Sequence, residues 1–127
     1  MVTELRLAIT VDDIDQALAF YRDTLGLEMR DMWLAEGSKG ALLEVGRATL
    51  ELFDEGQAAM VDELEVGRRV APKYRVALQV ADSSATADAL EAAGAERIAG
   101  PVETPWHDVN VRLTTPDGTQ LTLFTPA

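Results

Sequence analysis

The sequence predicts an α+β fold made of two copies of a strand–helix–three-strand (βαβββ) module. Two runs, at residues 5–11 and 74–80, alternate between apolar and polar side chains, which is typical of half-buried strands. Each run is followed by an aspartate and an amphipathic segment, and the same order of elements then repeats. One helix and four strands in each copy favour α+β over alternating parallel winding.

The first module is predicted to span about 1–54. Its strand at 5–11 is followed by a helix that begins after Asp13, with Gln16 in the position of a capping box, and ends at Gly26. Three further strands are predicted at about 27–34, 39–45 and 48–54, because glycines separate these apolar runs.

The second module is predicted to span about 73–127. Residues 55–72 are polar and acidic, and we interpret them as a linker with a short helical turn around Ala58–Leu64. The strand at 74–80 places Tyr74 on its apolar side, and Asp82 begins a helix that ends at Gly94. Strands are predicted at about 96–102, 108–114 and 119–125, with the last turn at 116–118.

An internal repeat supports the two modules. A shift of 69 residues places 7–9 on 76–78, and a shift of 71 places 50–53 on 121–124. Each helix covers one face of its sheet, so the other face is expected to form a cup. A small-molecule site is therefore expected where the modules meet.

Composition excludes several classes of function. The chain has 127 residues, which suits one domain, and no cysteine, which excludes disulfides, thiolate nucleophiles and cysteine-ligated metals. The net charge of −11 makes nucleic acid an unfavourable partner. No apolar run approaches the ~20 residues of a membrane span. The N-terminal residues lack the basic region of a signal peptide, so we expect none. We therefore expect a cytoplasmic protein without a membrane partner.

Three segments carry a family resemblance. Residues 11–21 with Leu25-Gly26-Leu27, and residues 115–123, resemble the vicinal oxygen chelate superfamily, which includes glyoxalases, bleomycin-resistance proteins and extradiol dioxygenases. Pro105-Trp106 resembles the Pro-Trp of bleomycin-resistance-type members. The resemblance implies two βαβββ modules, a cup-shaped mixed sheet and a homodimer.

Enzymes of this superfamily typically hold a divalent metal in the cup, and the resemblance places its four ligand positions at Arg6, Glu51, Arg75 and Thr122. Arginine has no lone pair to offer, and a catalytic site needs about three protein ligands. We therefore expect no metal and no cofactor, as in the metal-free drug-binding branch of the family. Arg6 and Glu51 could instead form an ion pair that fills the cup, or Arg6 or Arg75 could hold an oxygen of a ligand.

The remaining candidate residues follow from alternation and side-chain chemistry. Asn110 and Arg112 are expected on the cup face, because Val109, Val111 and Leu113 suit the helix side. Aromatic side chains can stack on a planar ligand. The predicted ligand-binding residues are Arg6, Trp33, Glu51, Phe53, Arg75, Trp106, His107, Asn110, Arg112 and Thr122.

Two functions remain open from the sequence. The first is a metal-free protein that binds an aromatic or polycyclic small molecule and sequesters it, conferring antibiotic resistance. The second is a metal-independent lyase, isomerase or cyclase that acts through an arginine, Glu51 or His107, with Glu51 as a general base in its most concrete form. No nucleophile motif identifies catalytic residues, so Glu51 is the catalytic candidate only under this second hypothesis.

Overall fold

A computed structural model describes residues 7, 9, 11–48 and 54–127, except for the side chain of Trp33. The chain divides into two compact units, Met1–Leu52 and Phe53–Ala127. The predicted strands at 5–11 and 48–54 fall largely outside the described residues. Three helices with a π-helical extension and two sheets give the α+β class expected from the sequence.

In the first unit, helix α1 (Ile14–Leu18) begins where the sequence predicts. The side chain of Asp13 accepts a hydrogen bond from Gln16 N at 3.0 Å, which satisfies a backbone N–H of the first turn. The helix continues as a π-helical segment (Ala19–Thr24), and Phe20 is buried. Strands β1 (Met29–Ala35) and β2 (Ser38–Leu43) then form an antiparallel hairpin.

The second unit contains a complete βαβββ module. Its elements are β3 (Val76–Gln79), α3 (Ser83–Ala92), β4 (Glu96–Glu103), β5 (Asp108–Thr114) and β6 (Gln120–Pro126). The strand order is β3–β6–β5–β4, in which only the β3–β6 pair is parallel. This order of elements agrees with the α+β fold class that the sequence predicts.

The core of this unit lies between α3 and its sheet. Helix α3 begins at Asp82, whose Oδ1 accepts from Ala85 N at 3.0 Å, and it packs against β4, β5 and β6. Two side chains of α3 and four of the two central strands are fully buried there: Ala87, Leu90, Val111, Leu113, Leu121 and Leu123. The alternate residues of β5 and β6 are consequently left for the opposite face.

Two local expectations are wrong. The segment read as a linker with a short helical turn forms an eleven-residue helix, α2 (Glu55–Glu65), which begins at Asp54 and contacts β4 and β5. Tyr74 is not in a strand, because β3 begins at Val76, and it is 71% exposed with Lys73 Nζ 5.5 Å from its ring centroid. The alternation of apolar and polar residues does not show at which residue the pairing of strands begins.

Candidate ligand-binding face of the second unit

The sheet of the second unit has a polar face opposite α3. We use this name for the side chains that alternate with the buried leucines and valines. The polar face comprises Gln79 on β3, Gln120, Thr122 and Phe124 on β6, and Asn110 and Arg112 on β5. Asn110 and Arg112 therefore lie on the side that alternation predicted.

Strand register divides the polar face into two ends. Phe124 pairs with Gln79 on one side and with Asn110 on the other, forming a row next to the β4–β5 hairpin turn. Thr122 pairs with Arg112, and Gln120 follows towards the start of β6. We call these the hairpin end and the α2 end.

At the α2 end, Arg112 is buried in an ion-pair cluster. Its Nη1 donates to Asp62 Oδ1 at 2.7 Å and to Gln120 Oε1 at 2.9 Å, and its Nη2 donates to Glu65 Oε1 at 3.1 Å. The side chain of Arg112 is 0% exposed and that of Asp62 is 1% exposed. Arg112 therefore holds α2 against β5 through charges that water hardly screens.

Asp62 is the centre of this cluster. Its Oδ2 accepts from Arg69 Nη1 at 2.8 Å, from Val70 N at 2.7 Å and from Ala71 N at 2.8 Å. Burial raises the pKa of Asp62, but these donors and Arg112 outweigh burial and hold the pKa well below its usual range. The carboxylate therefore stays charged and fixes the segment after α2.

Arg75 and Thr122 contact each other beside this cluster. Arg75 Nη1 donates to Thr122 Oγ1 at 2.5 Å, and Thr122 is buried. Although Arg75 precedes β3, its side chain thus reaches the polar face as predicted. The contact brings together two of the residues that the sequence proposed as a site.

At the hairpin end, Asn110 is buried without full hydrogen bonding. It is 6% exposed, and its Oδ1 finds no partner among the described residues. Its backbone lies tightly against β4, because a Cβ built on Gly100 would meet Asn110 O at 2.6 Å. Its neighbour Phe124 is half-buried and Gln79 is exposed, so the row opens towards solvent.

The β4–β5 turn presents Trp106 and His107. Trp106 is 42% exposed, and His107 has a left-handed φ of +69°, which is uncommon for a residue with a side chain. The turn is held by Thr104, which accepts from His107 N at 2.9 Å and donates its own N–H to Asp108 O at 2.8 Å. A fixed turn therefore carries an exposed indole four residues before Asn110.

Four predicted site residues lie wholly or partly outside the described part of the chain. Arg6, Glu51 and Phe53 lie outside the described residues, as does the side chain of Trp33. The predicted Arg6–Glu51 ion pair and the catalytic hypothesis for Glu51 therefore remain predictions.

Sequence reasoning missed the partners of Arg112. Asp62 and Glu65 were placed in the linker, where acidic residues normally indicate a solvated surface. One signal was present: Asp54 precedes Gln57 by three residues, and its Oδ1 accepts from Gln57 N at 2.7 Å at the start of α2. Which carboxylates turn inward depends on Arg112, about 50 residues later, and no local pattern shows that pairing.

Comparison with known proteins establishes the family. The model of the Glyoxalase/Bleomycin resistance protein/Dioxygenase superfamily matches residues 5–123. The chain therefore belongs to this superfamily, as its opening and closing motifs indicated. A search of curated proteins found no significant match.

Three solved structures illustrate the shared fold. A glyoxalase family protein from Bacillus cereus has a TM-score of 0.65 at 18% identity, over 98% of this chain and 95% of its own. A lactoylglutathione lyase from Agrobacterium tumefaciens has a TM-score of 0.57 at 23% identity, over 97% and 92%. TnmS3, an antibiotic binding protein from Streptomyces sp. CB03234, has a TM-score of 0.57 at 20% identity, over 96% and 100%. At these identities the likeness concerns the fold alone.

The second-module residues at the family's metal positions do not fit a divalent ion. Arg75 is a cation without a lone pair, and it donates its hydrogen bond to the Thr122 hydroxyl, the other position. In the described part of the chain, no group of three His, Cys, Asp or Glu side chains is arranged to hold a metal. Within the same residues, no helix has the length and apolar character needed to cross a membrane.

Proposed function

We propose that this chain is a metal-free binding protein that captures a planar aromatic small molecule on the polar face of its second unit. The observation that carries the proposal is the hairpin end, where half-buried Phe124 lies beside the buried, incompletely bonded Asn110. A small-molecule site combines an apolar aromatic surface with a few directed polar groups, and this row supplies both.

The neighbouring turn supports the same proposal. An exposed indole costs little to order when its backbone is already fixed, and the hydrogen bonds of Thr104 fix that of Trp106. Non-glycine residues held in a strained, left-handed conformation, as His107 is, cluster at functional sites. We assign Trp106 and His107 to ligand contact, together with Arg75 and Thr122.

We further propose that the captured molecule is sequestered rather than converted. TnmS3, which shares this fold, is an antibiotic binding protein, and an antibiotic is our proposed ligand class, with self-resistance as the role. Trp33, Phe53, Glu51 and Arg6 stay proposed contacts from the first module. The homodimer and the cytoplasmic location expected from the sequence stay predictions.

Equilibrium dialysis against a panel of polycyclic aromatic antibiotics tests the proposal, with mass spectrometry of the ligand after incubation. We expect saturable binding of at least one compound and an unchanged ligand mass. Trp106→Ala should weaken binding ~10-fold, since an aromatic pair contributes about 0.5–1.5 kcal/mol beyond the apolar area that it buries.

The matched control is Tyr74→Ala, because Tyr74 is an exposed aromatic residue that does not belong to the polar face. Its affinity should equal that of the wild-type protein. A changed ligand mass would contradict sequestration and favour a metal-independent enzyme, for which Glu51→Gln is the next variant. Equal losses in both aromatic variants would contradict a site beside the β4–β5 turn.

A further inference from the structure

Two buried atoms on one strand of the polar face find no hydrogen-bond partner among the described residues. They are Asn110 Oδ1 and Arg112 Nε. Since the two residues are separated by one position on β5, their side chains lie on one face, with Cα atoms about 6.6 Å apart. Asn110 Oδ1 is a hydrogen-bond acceptor, and Arg112 Nε carries an N–H that is a donor.

These unpaired atoms stand out because their surroundings are well paired. Around them, the two Nη atoms of Arg112, the Gln120 amide and the Thr122 hydroxyl all have partners at hydrogen-bond distance. A third unpaired atom in the described chain, Asp117 Oδ2, belongs to the β5–β6 turn and not to the face. A buried polar atom left without a partner costs more than an ordinary hydrogen bond contributes. Such atoms are few in native proteins and call for an explanation.

The charge around Arg112 restricts what can bind there. Its guanidinium already contacts the carboxylates of Asp62 and Glu65, and the second cation, Arg69, is shared between Asp62 and Glu55. Three carboxylates thus surround two arginines. A ligand carboxylate brought to Arg112 would be repelled by protein carboxylates that lie within hydrogen-bond distance of the same guanidinium, so a neutral polar group is favoured.

We propose that Asn110 is the specificity-determining residue of the polar face. The geometry points to a neutral planar aromatic ligand whose hydroxyl or N–H group donates to Asn110 Oδ1, while a carbonyl-type oxygen accepts from Arg112 Nε. Phe124, the register partner of Asn110, supplies the apolar surface beside this pair. This inference rests on the small-molecule binding function proposed above and adds the chemistry that the site selects.

The first test needs no ligand. Asn110→Leu replaces the incompletely bonded amide with an apolar side chain that has the same branching and number of heavy atoms, so the urea midpoint of unfolding should stay unchanged or rise. The matched control is Thr122→Val, which removes a hydroxyl that does have a partner on the same face, and whose midpoint should fall. A fall for Asn110→Leu as large as that for Thr122→Val would overturn the assignment, because Asn110 would then be serving the fold.

The second test uses 6-hydroxyflavone and 6-methoxyflavone as probes, which differ in one hydrogen-bond donor. The wild-type protein should bind the hydroxyl compound at least ~10-fold more tightly, because a buried acceptor built for a donor discriminates against its absence. Asn110→Leu should remove this preference, so that the variant binds the two flavones with equal affinity. Flavone-6-carboxylate should bind the wild-type protein more weakly than either.

The outcomes separate the two proposals. Equal wild-type affinities for the two flavones, or a preference that survives in Asn110→Leu, would overturn the role of Asn110 while leaving small-molecule binding intact. Binding of neither flavone and of no compound in the antibiotic panel would contradict the proposed function itself. In that case the urea comparison still decides whether Asn110 is held by the fold.

Discussion

The two ends of the polar face differ in how fully their buried polar groups are hydrogen-bonded. At the α2 end, Asp62 accepts from two arginines and two backbone N–H groups, and Arg112 Nη atoms have three partners. At the hairpin end, Asn110 is also buried, yet its Oδ1 has no partner in the described residues. We infer that Asp62 and its partners at the α2 end hold the fold together, and that Asn110 at the hairpin end is kept for a ligand.

Replacement of Arg112 should have the largest effect on stability. Arg112→Met leaves the carboxylates of Asp62 and Glu65 buried without their cation, and breaking a buried pair in this way costs about 3–5 kcal/mol. Urea unfolding followed by circular dichroism measures the loss. The free energy of unfolding should fall far enough to leave the chain marginally folded at 25 °C.

The control lies in the same network. Glu55 pairs with Arg69, but its side chain is 80% exposed, so Glu55→Gln should leave the free energy of unfolding almost unchanged. If both variants lost the same small amount, the α2 end would not be the structural half of the face.

A smaller loss is expected for Gly100→Ala. Gly100 has a φ of +101°, and an added Cβ would lie 2.6 Å from Asn110 O and 3.0 Å from Val111 Cα, both backbone atoms. The strained φ and the forced separation of β4 from β5 together should cost about 2–3 kcal/mol in thermal or urea unfolding.

Gly118→Ala is the matched control for that substitution. Gly118 has a φ of +86°, but nothing lies within 4 Å of its added Cβ, so only the backbone strain of about 1 kcal/mol applies. Equal losses in the two variants would show that the close approach of β4 to Asn110 has no energetic importance.

Acid should weaken the α2 end. The pKa of Asp62 in the folded chain lies below its ordinary value of 3.8, so its contribution to stability is complete above that pH. As the pH falls from about 4 towards the folded-state pKa, the unfolded chain takes up the proton first and the contribution is lost. The loss at pH 2.5 should be on the order of 1–2 kcal/mol.

Asp62→Asn isolates this effect, because it removes the titrating group at the centre of the cluster. The variant should be less stable at pH 7, and the difference from the wild-type protein should shrink as the pH falls below 4. Parallel stability curves between pH 5 and pH 2.5 would mean that Asp62 does not carry the acid sensitivity.

The smallest effect is expected at the hairpin end. His107→Gly relieves the strain of a left-handed backbone conformation, but it also increases the conformational entropy of the unfolded chain. Because these effects oppose each other, the free energy of unfolding should change by no more than about 0.5–1 kcal/mol. Ligand affinity should nevertheless fall, as measured by dialysis with whichever aromatic compound binds. His107→Asn, which tolerates this backbone conformation, should match the wild-type stability more closely. Loss of stability without loss of affinity would remove His107 from the site.

The sequence predicted those parts of the fold that depend on local patterns. Alternation placed Asn110 and Arg112 on one face of β5, and the aspartates at 13 and 82 marked the starts of two helices. The predictions that were wrong concern residues whose partners are distant in the sequence. Since acidic residues are normally solvated, nothing local indicated that Asp62 would be buried against Arg112. The same limit applies to the site, because alternation placed Asn110 but could not show that its Oδ1 lacks a partner.

The most direct test of the account is a map of ligand-induced amide shifts in the ¹⁵N-labelled protein titrated with 6-hydroxyflavone. The largest shifts are expected at Asn110, Phe124 and Gln79, including the side-chain amide of Asn110, together with the Trp106 indole N–H. The amides of α2 around Asp62 should move little, because both carboxylate oxygens of Asp62 are already paired. Shifts confined to α2, or to the first unit with the Asn110 side chain unmoved, would contradict a binding site at the hairpin end.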